Sequence, residues 1–435
     1  MKSARRNVAL ATAALTASAL ALSACSSGPA SAPATTAAPT DALEVMSWWT
    51  SGSEHAALQV LYDAVKAQNA NVNITDGAVA GGAGANIAVA LATRLRAGNP
   101  PDVWQTFTGV PTKAYANAGQ TADVSSVFSG SGLGSTIVPG LLDSVTVNGK
   151  QYGVPTGAHR TNVLWYSTKA LTKAGIAAPT GDYPFETFLA DLGKAKAAGV
   201  VPLCLGGKDN FTSVELFENN LLATVGAEGW ANIANDRFDW EGAQATTALQ
   251  HFGQVLDYAD PDAGAMTWDA AARKLATGGC AFASMNDSFD GELIAAGAGE
   301  SVDFGAVTYP GTTGLFSAVV DTFVLSSKAP NAANGLAFLG AAANKETTVA
   351  FNKLKGSVPV RTDADVSTLT GYQQGAAQAL RNNTVLLSLA HGELVGGRFQ
   401  EGLYDGVSAF KSSRDAAAFS RALRNAVSGG TVINK

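Results

Sequence analysis

The sequence predicts an α/β fold in two domains, each a doubly wound, mostly parallel sheet flanked by helices. Three observations carry that expectation. From residue 43 onward, short apolar runs of strand length alternate with amphipathic segments of helical period. A second series of the same kind begins near residue 201. The body of the chain, about residues 41–435, is also long enough for two domains.

Taken in order, the first strand is expected over 43–48. A helix over 54–68 follows, with Ala57, Leu58, Leu61, Tyr62 and Val65 on one face. A strand near 72–75 leads through the loop "VAGGAG" to a helix over 85–97. "NPPDVWQT" ends that helix, because proline cannot continue it, and a strand starts at Val103. This βαβαβ run implies a parallel sheet with its loops at one edge. "VTVNGKQYGVP", residues 145–155, reads as a hairpin turned at Asn148-Gly149. The second series holds a strand over 201–205, helices over 243–258 and 268–276, and a strand over 280–285. Strands around 304–308 and 319–325 lead into a helix-rich C-terminal third. The division expected from this order assigns 43–156 with 303–345 to one domain, and 157–302 with 346–435 to the other.

The chain opens "MKSARRNVALATAALTASALALSAC": a basic start at Lys2, Arg5 and Arg6, an apolar run rich in small residues, then Leu22-Ser23-Ala24-Cys25. That order is a secretory leader over 1–24 ending in a lipobox, with Cys25 as the lipidated residue. "SSGPASAPATTAAPT", residues 26–40, has no charge and no large apolar side chain, so residues 25–42 are expected to form a flexible tether. The expected product is exported and held by its lipid at the outer face of the cell membrane. Net charge is −6, and −9 once Lys2, Arg5 and Arg6 leave with the leader. No basic cluster stands out, so nucleic acid is not an expected partner. Cys204 and Cys280 remain, each in a short apolar run, and one disulfide or two buried thiols are both compatible with an oxidising compartment.

The sequence carries few signatures of catalysis. There is no Walker A, no Gly-x-Ser-x-Gly, no dinucleotide fingerprint, no His-Glu-x-x-His and no Cys-x-x-Cys among only four His, so neither cofactor nor metal is expected. What stands out is a set of aromatic and hydrogen-bonding residues where strands give way to loops: Trp48, Trp49 and Glu54, then Gln105, His159, Arg160, Trp268, Asp287, Asp321, Lys355 and His391. Ligands of open α/β sheets bind beyond the carboxyl ends of strands, where such residues project. Indoles that cover a C–H face, with carboxylates, amides and amines that pair with hydroxyls, suit a carbohydrate.

Six stretches in order carry a resemblance: "WWTSGSE" (48–54), "AVAGGAG" (78–84), "GNPPDVWQT" (98–106), "NGKQYGVP" (148–155), "LKGSVPVR" (354–361) and "SLAHG" (388–392). Together they resemble the family 1 extracellular solute-binding proteins of bacterial ABC sugar importers, and within them the glucose/mannose-type sugar-binding proteins. The resemblance implies a two-lobed periplasmic-binding-protein-like fold with hinge crossings between lobes, a monomer that captures a mono- or small oligosaccharide, delivery to permease subunits, and no catalysis. It implies Trp48, Trp49, Glu54, Gln105, Trp268, Asp321, Lys355 and His391 as ligand contacts, with His159 and Asp287 as weaker ones. Two departures bear on the sugar. Phe107 stands where the glucose-type proteins carry His or Lys, and Asn286-Asp287-Ser288-Phe289 replaces a Gly-Asp-Trp. A sugar with fewer hydroxyls there, or a longer one stacking on Phe107, is then expected. The rival readings are the same fold binding a peptide, polyamine or anion, and a surface glycoside hydrolase using Glu54, Asp321 or Asp287.

Overall fold

Leu43 and Val45 face one way from the first strand and Met46 the other, and each face acquires its own helix. The computed structural model describes residues 41–428 and 431–433, so the leader, Cys25 and residues 26–40 lie outside the described residues. Strand β1 (Ala42–Met46) pairs in parallel with β2 (Asn73–Asp76) and β3 (Val103–Phe107). The helix Gly52–Gln68 buries Ala57, Leu58, Leu61, Tyr62 and Val65 against the face that carries Leu43 and Val45. The helix Ala85–Arg96 lays Ile87 and Leu91 on Met46 and Trp104, on the opposite face. Period 2 in the strand and 3.6 in the helices thus produce the double winding. Each fully buried Leu here is worth about 1.5–3 kcal/mol.

The hairpin of β4 (Thr146–Val147) and β5 (Lys150–Gln151) turns through Asn148 and Gly149, at φ +50° and +77°, as a tight turn with two left-handed residues requires. After it, β6 (Val154–Arg160) runs in the first sheet as far as the crossing, and β7 (Val163–Ser167) opens the second. There β7 joins β8 (Val201–Cys204), β9 (Cys280–Ser284) and β10 (Phe304–Thr308) in the order β10-β7-β9-β8. A disulfide joins Cys204 to Cys280 beside this sheet's core. The chain then returns through the long β11 (Leu315–Leu325), and β12 (Thr384–Leu387) completes the first sheet, ordered β12-β11-β3-β1-β2 with β6 on β11.

The α/β class stands, but the sheets are mixed rather than mostly parallel. β11 runs antiparallel to both β3 and β6, and β7 antiparallel to both β10 and β9. Those strands arrive by crossing between sheets, and a crossing, unlike a helical βαβ return, can reverse direction. Sheet membership also departs from the division expected above. β10 belongs with the second sheet, while Phe351, Val358, Val360, Ala376 and Leu380 pack into the first core. An apolar alternation fixes that a strand forms, not which neighbour it pairs with.

Among the described residues, three connections cross between the two sheets and the helices packed on them, which form two bodies: 161–162, 309–314 and 388–394. Buried Glu218, on the helix Asn210–Ala234, gathers all three neighbourhoods. Its Oε1 accepts from Thr161 Oγ1 and Ser317 Oγ, each at 2.8 Å, and its Oε2 accepts from Ser388 Oγ and the Ala390 amide, each at 2.7 Å.

Candidate functional site

The carboxyl ends of β1, β3, β8 and β9 deliver Trp48, Phe107, Asp209 and Met285 to one cleft of about 400 Å³. Trp48 sits two residues beyond β1, and Trp268 is the first residue of the helix Trp268–Ala276. The Trp268 amide donates to Asp209 Oδ2 at 2.9 Å, which fixes that helix start against the loop after β8. A Cβ at Gly206 would lie 2.5 Å from Trp268 Cα, so only glycine lets the loop pass this close.

The floor of the cleft is a buried charge network built on the crossing strands. His159, on β6, faces Asp287 Oδ1 at 2.6 Å through Nδ1 and Asp321 Oδ2 at 3.0 Å through Nε2. Lys355 Nζ donates to Glu54 Oε1 at 2.8 Å and Ser288 Oγ at 3.1 Å, and lies 3.0 Å from His159 Nε2. Burial and Lys355 pull the His159 pKa down, but its bonds to Asp287 and Asp321 outweigh them and leave it raised. Burial works against ionised Asp321, yet Lys355 and His159 hold its carboxyl below the usual range. Lys355 likewise stays above its ordinary value, because Glu54 and Asp321 overcome the burial penalty. Removing one partner of such a network leaves another buried and uncompensated, at a cost of about 3–5 kcal/mol.

His391, after β12, is neutral instead. Burial drives its pKa down to about 3, and burial pushes neighbouring Glu215, 3.5 Å away, up to about 8.

Of the residues singled out in the sequence, Trp48, Glu54, Phe107, His159, Trp268, Asp321, Lys355 and His391 line this cleft. Arg160 and three others do not. Trp49 is fully buried, packed on Phe323 at 5.7 Å and Phe351 at 5.5 Å, and its ring lies 5.0 Å beneath Lys355 Nζ. Neighbouring side chains on extended backbone point to opposite faces, so Trp48 takes the cleft and Trp49 the core. Gln105 stands outside the cleft, donating from Nε2 to Asp321 Oδ1 at 3.0 Å and accepting from the Trp48 amide at 3.3 Å. Asp287 is wholly buried behind His159 and accepts from the Arg160 amide at 3.0 Å. Gln105 and Asp287 therefore position residues that line the cleft.

Sequence reasoning missed Asp209, Phe211, Arg273 and Glu292, which also line it. Asp209 and Phe211 follow β8 and carried the same strand-end signal. Arg273 and Glu292 did not, since a helical pair such as Asp269–Arg273 reads as a solvated i,i+4 bridge. Glu292 Oε1 accepts from the Ser53 amide at 2.9 Å and Ser53 Oγ at 3.0 Å, which anchors the start of the helix Gly52–Gln68 at the cleft. Gly52 has φ +66°, and a Cβ there would lie 2.3 Å from Glu292 Oε1. Among the described residues no group of three or more His, Cys, Asp and Glu is arranged to hold a metal ion.

A model of the bacterial extracellular solute-binding proteins matches residues 49–349, and the chain belongs to that family. An uncharacterised ABC transporter extracellular-binding protein of Pyrococcus horikoshii is 31% identical over 90% of this chain and 89% of its own. A protein of Mesorhizobium japonicum, described as a probable sugar-binding periplasmic protein, is 32% identical over 82% and 85%. Among solved structures, a bacterial solute receptor described as preferring b-D-galactopyranose exclusively aligns at TM-score 0.77 and 17% identity. That alignment covers 89% of this chain and 98% of the receptor, a likeness of fold.

Proposed function

We propose that the protein is a lipid-anchored, monomeric receptor that captures a mono- or small oligosaccharide in this cleft and hands it to the permease of an ABC importer, without cleaving it. The observation that carries the reading is the pairing of two cleft-lining indoles, Trp48 and Trp268, with hydrogen-bonding side chains of both polarities: Glu54, Asp209, Asp321 and Lys355. The family and the sugar-binding description of one relative support it. Lipid anchorage rests on Leu22-Ser23-Ala24-Cys25.

One feature favours binding over glycoside cleavage, and another disfavours an anionic solute. A glycosidase needs one carboxyl held neutral as a general acid beside the scissile bond. Here Lys355 and His159 hold Asp321 below the usual carboxylate range, and Glu54, whose pKa burial raises, accepts from the same Lys355 ammonium at 2.8 Å, so neither carboxyl stands free to give a proton to a leaving group. The carboxylates in the cleft outnumber Arg273 and Lys355, which speaks against an anionic solute.

Titrating intrinsic tryptophan fluorescence with mono- and disaccharides, an amino acid and a polyamine tests the reading. At least one sugar is expected to quench saturably. A response to the amino acid or polyamine alone would overturn it.

A further inference from the structure

A second chamber, of about 420 Å³, adjoins the cleft and shares Trp48, Phe107 and His391 with it. Phe107 forms the partition: its ring centroid lies 5.0 Å from that of Trp48 and 5.1 Å from that of His391. Across this line of rings the chemistry changes. The cleft side presents Glu54, Asp209, Asp321 and Lys355. The far side presents Ile87, Leu91, Val110, Pro111 and Tyr115. The two amide side chains of the far side are engaged elsewhere, Gln105 with Asp321 and the Trp48 amide and Gln400 Nε2 with the Ala390 carbonyl at 3.4 Å, so Thr106 and Tyr115 bring the few remaining hydroxyls to its wall. A fully hydroxylated ring placed there would find too few partners for its hydroxyls and leave most of them unpaired, at a desolvation cost. A group poor in hydroxyls would lose only unfavourable hydration.

We propose that the chamber behind Phe107 is a second subsite. It takes the less polar part of the same ligand, an apolar group glycosidically joined to the sugar ring held in the cleft, with Phe107 as the surface both parts share. This rests on the sugar reading of the cleft. Continuity through the shared Trp48, Phe107 and His391 makes it an extension of that site rather than a separate one.

The test compares methyl with 4-nitrophenyl glycosides of glucose, galactose, mannose and xylose by calorimetry. For the sugar that binds, the aryl glycoside is expected to bind at least about tenfold more tightly, the scale of one buried aromatic contact. Ala114→Trp and Ala88→Trp, at exposed positions on two helices that line only the second chamber, fill it from different walls. Each is expected to abolish the aryl advantage, leaving methyl glycoside affinity and Tm unchanged. Equal affinities in the wild type, or an advantage that survives both substitutions, would overturn the subsite while leaving the sugar reading intact. If none of these glycosides binds, the subsite is overturned, while the sugar reading itself is decided by the titration with mono- and disaccharides.

Discussion

Trp48 and Trp49 are adjacent in the chain and do different work. Trp48 lines the cleft, while Trp49 is sealed in the core beneath Lys355, where its ring face supports the ammonium group. Trp48→Ala should therefore weaken sugar binding by about 1 kcal/mol or more with little change in Tm. Trp49→Ala should cost about 3–5 kcal/mol of stability by opening a core cavity. Calorimetric titration beside thermal melts separates the two, and the division of labour is wrong if both variants lose only affinity. Nearby, Asp290 illustrates a different cost. Burial, with Asp287 and Glu300 adding like charge, pushes its pKa up to about 8, and only Oδ2 is bonded, to Thr370 Oγ1. A carboxyl raised this way favours the fold most below its ordinary value, and that stability drains away as pH rises toward 8. Asp290→Asn is expected to raise Tm more at pH 8 than at pH 5; an equal shift at both would contradict the assignment.

At the scale of elements, the crossings decide what can move. Glu218 bonds to donors beside all three, so a single carboxylate links the segments about which the two bodies would bend. All four partners donate, and a glutamine at this position would turn an NH2 toward some of them. Glu218→Gln is predicted to destabilise the protein by about 2–3 kcal/mol, the scale of hydrogen bonds to a charged group, read by urea unfolding. An unchanged midpoint would show that the crossings are held without it. Elements were also where sequence was most informative. The helix Gly52–Gln68 buries the same five apolar residues that its 3.6-residue period singles out, because a one-faced helix has only one way to be buried. Strand partners were less legible: nothing local in "FGAVT" says that Phe304–Thr308 joins β7 rather than the first sheet. The site divided on the same principle. Trp48, Asp321 and His391 could be found because they stand at strands or their ends. Arg273 and Glu292 could not, since their place in the cleft depends on how helices dock.

For the whole molecule, two bodies joined by three crossings and meeting at a cleft give a receptor whose ligand can bridge them. A sugar shifts such a molecule toward closure only by contacts it makes in the closed state and lacks in the open one. Trp48 and Glu54 come from segments flanking the first sheet, Asp209 and Trp268 from segments flanking the second, and His159 and Asp321 from β6 and β11, the strands of the first sheet that adjoin the crossings. That distribution is what a bridging ligand requires. The most direct measurement is a calorimetric titration of the best-quenching sugar into the wild type and into Trp268→Ala. We predict one-to-one binding with negative ΔCp in the wild type, and at least about a tenfold loss in the variant. Undiminished affinity in Trp268→Ala would contradict the account, because the sugar would then not be held where the two bodies meet.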